Sequence, residues 1–326
     1  MFRKIVFLIL VVSLVISCKS EKKEPLLIEG STNPKLDELT AKLNSDPNNA
    51  ELLFDRAALY YENDAYDESI ADISQAIKID SLKPEYYHLL ADNYMDYYKS
   101  RQALETMEKA SNLFPKRIET LLKLSEFQLI LKQYEGGQLT IQRIFQVDPQ
   151  NAEGYLMGGH LFKEVKDLDK ARAGFQKAIE LGLTSKEDLI DAYLNLGQLN
   201  LKKDKKLAKL YFDNALRVDS LDKSAIHGKA EYFVELGQLK EALALYRKII
   251  VSDPSYSEAF YNSGIIYNEM DSLKKAFDNF DIAIKSDPME AAYYFARGDV
   301  LERMGKKQEA AKDFAQAAKL NPQFKK

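Results

Sequence analysis

The chain has 326 residues, 46% of them hydrophobic, and a formal net charge of −4. That is ample apolar material for a core, and the acidic balance argues against nucleic acid as a partner, since phosphates require a basic stripe. With one cysteine in the whole sequence, no intrachain disulfide can form, so folding rests on packing alone.

The N-terminal segment 1–17 reads MFRKIVFLILVVSLVIS, two basic residues (Arg3, Lys4) followed by an apolar run over 5–16 broken only by Ser13. Twelve residues of helix span about 18 Å, too short for a bilayer core and suited to a signal-peptide core. Cys18 follows at once, and residues 15–18, Val-Ile-Ser-Cys, resemble the lipobox of bacterial lipoproteins. The resemblance implies cleavage before Cys18, acylation of its sulfur and a mature chain tied to a membrane of the bacterial envelope. Cleavage would remove Arg3 and Lys4 and no acid, taking the net charge from −4 to −6. In that family a residue other than Asp after the cysteine, here Lys19, goes with the outer membrane in preference to the inner. Acyl chains contribute about 0.8 kcal/mol per buried methylene, enough for stable anchoring when two or three are present. A plain secretory signal with a stray cysteine is the alternative.

Residues 18–33 carry charge, Pro and Gly without periodicity and read as a flexible tether with a coil span of roughly 20 Å. The charged cluster 21–24 reads most simply as part of that solvated linker, with a surface-export tag as the other possibility. Residues 34–49 hold one amphipathic helix (Leu36, Leu39, Leu43), expected to cap the open N-terminal end of a helical stack.

From residue 50 onward the pattern recurs about every 34 residues, in units 50–83, 84–117, 118–151, 152–185, 190–222, 223–256, 257–290 and 291–324. Position 8 of each unit is small: Ala57, Ala91, Ser125, Gly159, Gly197, Ala230, Gly264, Gly298. So is position 20, from Ser69 and Ala103 to Ala276 and Ala310. Bulky apolar residues fill positions 4 and 24, at the three-four-seven spacings of amphipathic helices. Proline at position 32 (Pro115, Pro149, Pro254, Pro288, Pro322) ends the second helix of five units. Small residues at two facing points let paired helices approach closely. These units resemble tetratricopeptide repeats, which implies an all-α, right-handed superhelical solenoid of helix–turn–helix hairpins. Departures are local: Gln128 and Asn200 replace an aromatic at position 11, Leu183 replaces the proline, and four extra residues, 186–189, precede a fifth unit with a shortened turn. No extra capping helix is evident after Pro322, so that end is either polar enough outside or meets a partner.

The resemblance implies that positions 2, 5, 9, 12 and 13 line a concave groove. Those positions hold sixteen acids here, among them Asp92, Glu126, Glu164, Glu231, Glu235, Glu269 and Asp299, against Lys163, Lys202 and Arg303. Six of the acids sit at position 2, where the helix dipole alone favours them. The remainder predicts an electronegative groove for a basic segment, with Phe54, Tyr61, Tyr261 and Phe295 as apolar anchors. A merely solvated acidic face is the alternative. The Lys and Asn that a carboxylate-clamping groove needs at positions 5 and 9 are absent, which disfavours that use.

His88, His160 and His227 all fall at groove positions, each with an acid four residues on (Asp92, Glu164, Glu231), one turn away on the same face. Lying two units apart they cannot share an ion, so no metal is expected and ordinary His–acid pairs are. The basic run 202–206 (Lys-Lys-Asp-Lys-Lys) reads as a solvated turn, or else as a contact for an acidic partner or lipid head groups. No phosphate loop, nucleophile elbow, HExxH or CxxC occurs, so neither enzyme activity nor a cofactor is expected. The reading is a lipid-anchored scaffold organising a complex of envelope proteins. A peptide- or glycan-binding component of an uptake system is the alternative.

Overall fold

A computed structural model describes residues 33–325. The signal segment, Cys18 and all of the tether except Asn33 lie outside the described residues. A lone helix α1 (Pro34–Ser45) precedes eight hairpins. They are α2 (Ala50–Glu62) with α3 (Tyr66–Ile79), α4 (Pro84–Asp96) with α5 (Ser100–Leu113), α6 (Ile118–Ile130) with α7 (Tyr134–Val147), and α8 (Ala152–Glu164) with α9 (Leu168–Leu181). The second half continues with α10 (Lys186–Asn200) and α11 (Lys205–Val218), α12 (Lys223–Glu235) and α13 (Leu239–Ser252), α14 (Ser257–Glu269) and α15 (Leu273–Ser286), and α16 (Ala291–Arg303) and α17 (Lys307–Leu320). No strand occurs among the described residues. Each hairpin packs on the next, so the core is a row of small clusters instead of one centre.

The turn inside each unit has a common mechanism. Position 15 is left-handed in seven units: Asp64, Tyr98, Lys132, Lys166, Gly237, Asp271 and Gly305, with φ between 56° and 77°. The next residue's N–H then reaches back to the carbonyl of position 11, as in Ala65 N to Tyr60 O (2.9 Å) and Lys306 N to Leu301 O (2.9 Å). This six-to-one bond satisfies a carbonyl that the helix end would orphan, and turns the chain antiparallel. The fifth unit lacks it: Asp204 has φ −144° and caps α11 with its side chain, accepting from Lys206 N and Leu207 N at 3.0 Å.

The four extra residues before that unit become helix. Ser185 caps their start by accepting from Asp188 N (3.1 Å), so α10 runs 15 residues where the other first helices of a unit run 13. Gly182, at φ 91°, terminates α9 in place of the missing proline. At the departures from the aromatic pattern the polar groups are satisfied locally. Buried Gln128 accepts from Thr140 Oγ1 at 2.8 Å, and buried Asn200 donates to Leu196 O at 2.7 Å.

The paired helices meet where the small residues are. A Cβ placed on Gly159, Gly197, Gly264 or Gly298 would fall 2.6–2.7 Å from the ring of Phe175, Phe212, Phe280 or Phe314. Units with Ala or Ser at position 8 carry Ile73, Met107, Ile141 or Tyr246 opposite. Every phenylalanine at position 24 is thus matched by a glycine at position 8.

At the two ends, α1 lays Leu39 and Leu43 on the first unit, both 6% exposed. At the other end a single 3-10 turn (Pro322–Phe324) follows α17, and the Phe324 ring lies 5.4 Å from that of Phe295, tilted against it. The sequence suggested no cap there; this short turn covers part of the last unit with one aromatic side chain.

Candidate functional site

The four aromatics expected as free anchors of the groove are engaged within the stack. Phe54 lies 5.1 Å from Tyr86 of the next unit, and Tyr261 lies 4.9 Å from Tyr293 of the next unit. Phe295 stands between Phe314 and Phe324, each 5.4 Å away. Tyr61 donates from its hydroxyl to Asp96 Oδ2 at 2.5 Å, across to the second unit. Each is half-buried, so one edge remains for a ligand while the rest holds neighbouring units in register.

Of the three expected histidine–acid pairs within one helix, one forms. His227 Nε2 lies 3.3 Å from Glu231, and its Nδ1 meets the Tyr246 hydroxyl at 2.8 Å. The Glu231 hydrogen bond raises its pKa against the opposing effect of burial. His160 pairs instead with Asp191 of the following unit, at 2.6 Å. Asp191 also accepts from Asn195 (2.9 Å), whose Oδ1 takes a bond from Lys163 Nζ at 2.6 Å, so a polar chain ties α8 to α10. His88 turns to Thr120 Oγ1 at 2.9 Å, and Asp92 pairs with Lys123 at 2.7 Å. Burial, with the charges of Lys123 and Arg117, holds His88 down to about 4. In both corrected cases a partner one unit on lies closer than the residue one turn along. Stacking thus competes with the helix for the same side chain. Among the described residues, no three metal-ligating side chains gather at one place.

Part of the predicted negative charge is paired by cations of the stack itself. Arg117 bonds Glu85 at 2.8 Å, Lys83 lies 3.7 Å from Glu51, and Lys123 holds Asp92. All three cations sit just outside the five groove positions, so counting those positions alone overstated the field. Glu126 and Glu164 are exposed, and Asp299, on α16 of the last hairpin, is half-buried.

Four of the predicted residues do converge. His227, Glu231, Glu235 and Glu269 line a cleft of about 330 Å³ between α12 and α14. Its apolar surface comes from Leu201, Val234, Ile265 and Ile266. Glu231, Glu235 and Glu269 are exposed, and among the described residues no cation pairs with the carboxylate of Glu235 or Glu269. The nearest lysine contact, Lys205 Nζ to Glu235 O at 3.5 Å, is to the backbone. Carboxylates around an aliphatic floor suit a side chain that is itself an aliphatic stem with a cationic tip. The sequence flagged these acids singly; their convergence depends on the offset between successive hairpins, which no residue spacing expresses.

Profiles described as tetratricopeptide repeat match residues 204–257 and 291–324. The chain is 20% identical over 56% of its length to Tetratricopeptide repeat protein 8 of Caenorhabditis elegans, and 21% identical over 65% to Superkiller protein 3 of Schizosaccharomyces pombe. It spans only 36% and 19% of those two proteins. Among solved structures, it is similar to a tetratricopeptide repeat protein from Parabacteroides merdae (TM-score 0.57, 18% identity, 73% of this chain and 93% of that one). PilW, a type IV pilus biogenesis factor, matches at TM-score 0.54 and 21% identity over 63% of this chain and 94% of its own. A chain of the Cut9–Hcn1 assembly matches at 0.56 and 15% identity, over 88% of this chain and 56% of that one. The likeness to solved structures is one of fold, and the sequence matches are to the repeat itself: residues 204–257 and 291–324 are tetratricopeptide repeats by their family models.

Proposed function

We propose that this protein is a non-enzymatic scaffold whose concave face, at the cleft between α12 and α14, binds a basic segment of another protein. The observation that carries this is the convergence of Glu231, Glu235 and Glu269 on the aliphatic surface of Val234, Ile265 and Ile266. A Lys or Arg stem lies on that surface while its charge faces the carboxylates, a combination that selects basic over acidic partners. The tetratricopeptide-repeat matches support protein–protein interaction as the general role.

In this reading Cys18 is acylated and holds the scaffold at the bacterial envelope, at the outer membrane in preference to the inner, where it gathers other envelope proteins. The support is the order of basic residues, apolar run and lone cysteine over 1–18. No helix among the described residues is long and apolar enough to cross a membrane.

The binding test uses two fluorescent 15-residue peptides, one of alternating Lys and Leu character and one with Glu in place of Lys. The basic peptide should bind at least tenfold tighter, weaken as salt rises, and lose most of its affinity to Glu231→Lys with Glu235→Lys. Equal affinity of the double variant would refute the cleft. Anchoring is read separately: metabolic labelling with an alkyne fatty acid should mark the wild type and not Cys18→Ala, which should also leave the membrane fraction.

A further inference from the structure

Away from the acidic cleft, a first helix forms the floor of a gap between successive second helices, as α8 does between α7 and α9. Two positions decide how full each of these gaps is, 7 on the first helix and 23 on the second. In the outermost units they hold an ion pair. Arg56 grips Asp72 through two bonds of 2.6 and 2.9 Å, and Arg297 grips Asp313 through two of 2.8 and 2.9 Å. Position 7 is Leu90, Leu124 and Leu196 in the second, third and fifth units, and Lys229 in the sixth. In the fourth unit both positions are glycine, Gly158 and Gly174.

The consequence is a slot of about 470 Å³ floored by α8 and walled by α7 and α9. A Cβ on Gly158 would have only one neighbour within reach, Ile141 Cγ2 at 4.0 Å, so the glycine opens onto empty space. Gly174 does the opposite: a Cβ there would strike the backbone of Gly159 at 2.9 Å, so its absence seats α9 directly on α8. The apolar lining is Ile141, Phe145, Tyr155 and Phe162. A second cavity of about 310 Å³ shares Ile141, Phe145 and Phe162 and extends the apolar surface toward Gln138. The volume is within the range of about 300–1,000 Å³ typical of small-molecule pockets.

The charges on this slot are of one sign. Lys170 and Lys177, two turns apart on α9 and therefore about 10 Å apart along it, both line the slot, and no carboxylate does. Their present partners, Asp167 at 2.8 Å and Glu180 at 3.3 Å, lie outside the cavity on exposed surface, where such pairs exchange readily. An elongated apolar slot with cations along one wall is complementary to a chain-like molecule with a negative end. The corresponding gap of the seventh unit is smaller, about 360 Å³, and Ser263, Asn279 and Arg247 make its surface polar.

We propose that the slot between the third and fourth units binds one single-chain anionic amphiphile, a fatty carboxylate. The chain lies along Ile141, Phe145 and Phe162, over Gly158, and the carboxylate meets Lys170 or Lys177. This site is separate from the acidic cleft and does not depend on it.

The test is calorimetric titration of the full chain, carrying Cys18→Ser so that no acyl group of its own competes, with dodecanoate below its micelle concentration. Saturable binding with a stoichiometry of one is expected, with a raised melting temperature. Gly158→Leu installs the side chain that three sister units carry at this place, so it should fold and melt like the parent. It should weaken dodecanoate binding at least tenfold. Lys170→Gln with Lys177→Gln should weaken dodecanoate severalfold and abolish its advantage over dodecyltrimethylammonium. Undiminished binding to a folded Gly158→Leu protein, non-saturable uptake, or equal affinity of the parent for the cationic amphiphile would each overturn the assignment.

Discussion

Gly264 and Phe280 face each other across the hairpin of α14 and α15 so closely that a methyl on the glycine would lie 2.6 Å from the ring's Cε1. Phe280 is itself fully buried, so the ring has no room to retreat. Gly264→Ala should therefore destabilise the protein by about 1–3 kcal/mol through overpacking, although alanine is the better helix former by about 1 kcal/mol. Adding Phe280→Met recreates the Ala91 and Met107 pair of the second unit and should recover most of the loss. Urea midpoints of the single and double variants measure the coupling, and simple additivity would show that the glycine is not there for the ring.

The left-handed residue at position 15 is a non-glycine in five units. Such a conformation costs an L-residue about 1–2 kcal/mol, more than glycine's extra chain entropy of about 0.5–1 kcal/mol. Tyr98, 94% exposed at φ 57°, makes no packing worth keeping beyond its backbone role. Tyr98→Gly should raise stability by up to about 1 kcal/mol, while Gly237→Ala should lower it by about 1 kcal/mol. Melting temperatures shifting in these opposite directions would establish the turn mechanism; a drop for Tyr98→Gly would contradict it.

Lys229 is almost wholly buried, 4% exposed, and its ammonium meets Asp213 Oδ1 at 2.5 Å from the preceding unit. Asp213 is partly open to water and shares its charge with Lys209 at 2.8 Å. Removing the acid leaves a buried cation unpaired, so Asp213→Asn should cost about 2–3 kcal/mol, whereas Lys229→Met should be close to neutral. Burial acts to raise the Asp213 pKa, but the bonds from Lys209 and Lys229 outweigh it and hold it below the ordinary value. Its contribution is therefore present at neutral pH and is lost as pH falls through that lowered pKa. Acid denaturation of the parent and of Lys229→Met should diverge only on that acid limb.

How much was legible depended on whether a residue's role is set within its own unit. The repeat, the helix pairs and the small facing residues follow from spacing, because Gly264 and Phe280 are sixteen residues apart in one hairpin. What spacing missed lies between units. His160 stands one turn from Glu164 in sequence, yet its Nε2 pairs with Asp191 in the next hairpin. Phe54, Tyr261 and Phe295 look like ligand anchors because they are aromatic at groove positions, and the same aromatics also join neighbouring elements of the stack. The slot over Gly158 was invisible for the complementary reason: a glycine at position 7 means little until its sister positions are seen filling the same gap.

The two perturbed histidines should give stability opposite slopes in pH. His88 is held to about 4 in the folded protein, chiefly by burial, while unfolded it takes a proton near 6.5. Protons therefore favour the unfolded chain, and stability should fall as pH drops from about 6.5 toward 4. His227 is raised by Glu231, so its contribution is fully present below about 6.5 and is lost as pH rises through its higher folded value. His88→Asn, which keeps a partner for Thr120, should flatten the acid-side decline. His227→Asn should flatten the decline on the alkaline side and leave the acid side alone. Because protonated His227 neutralises Glu231 in the acidic cleft, basic-peptide affinity should also weaken as pH falls through that same transition in the parent. In His227→Asn it should not. A parent whose affinity is unchanged across that transition would separate the histidine from the cleft.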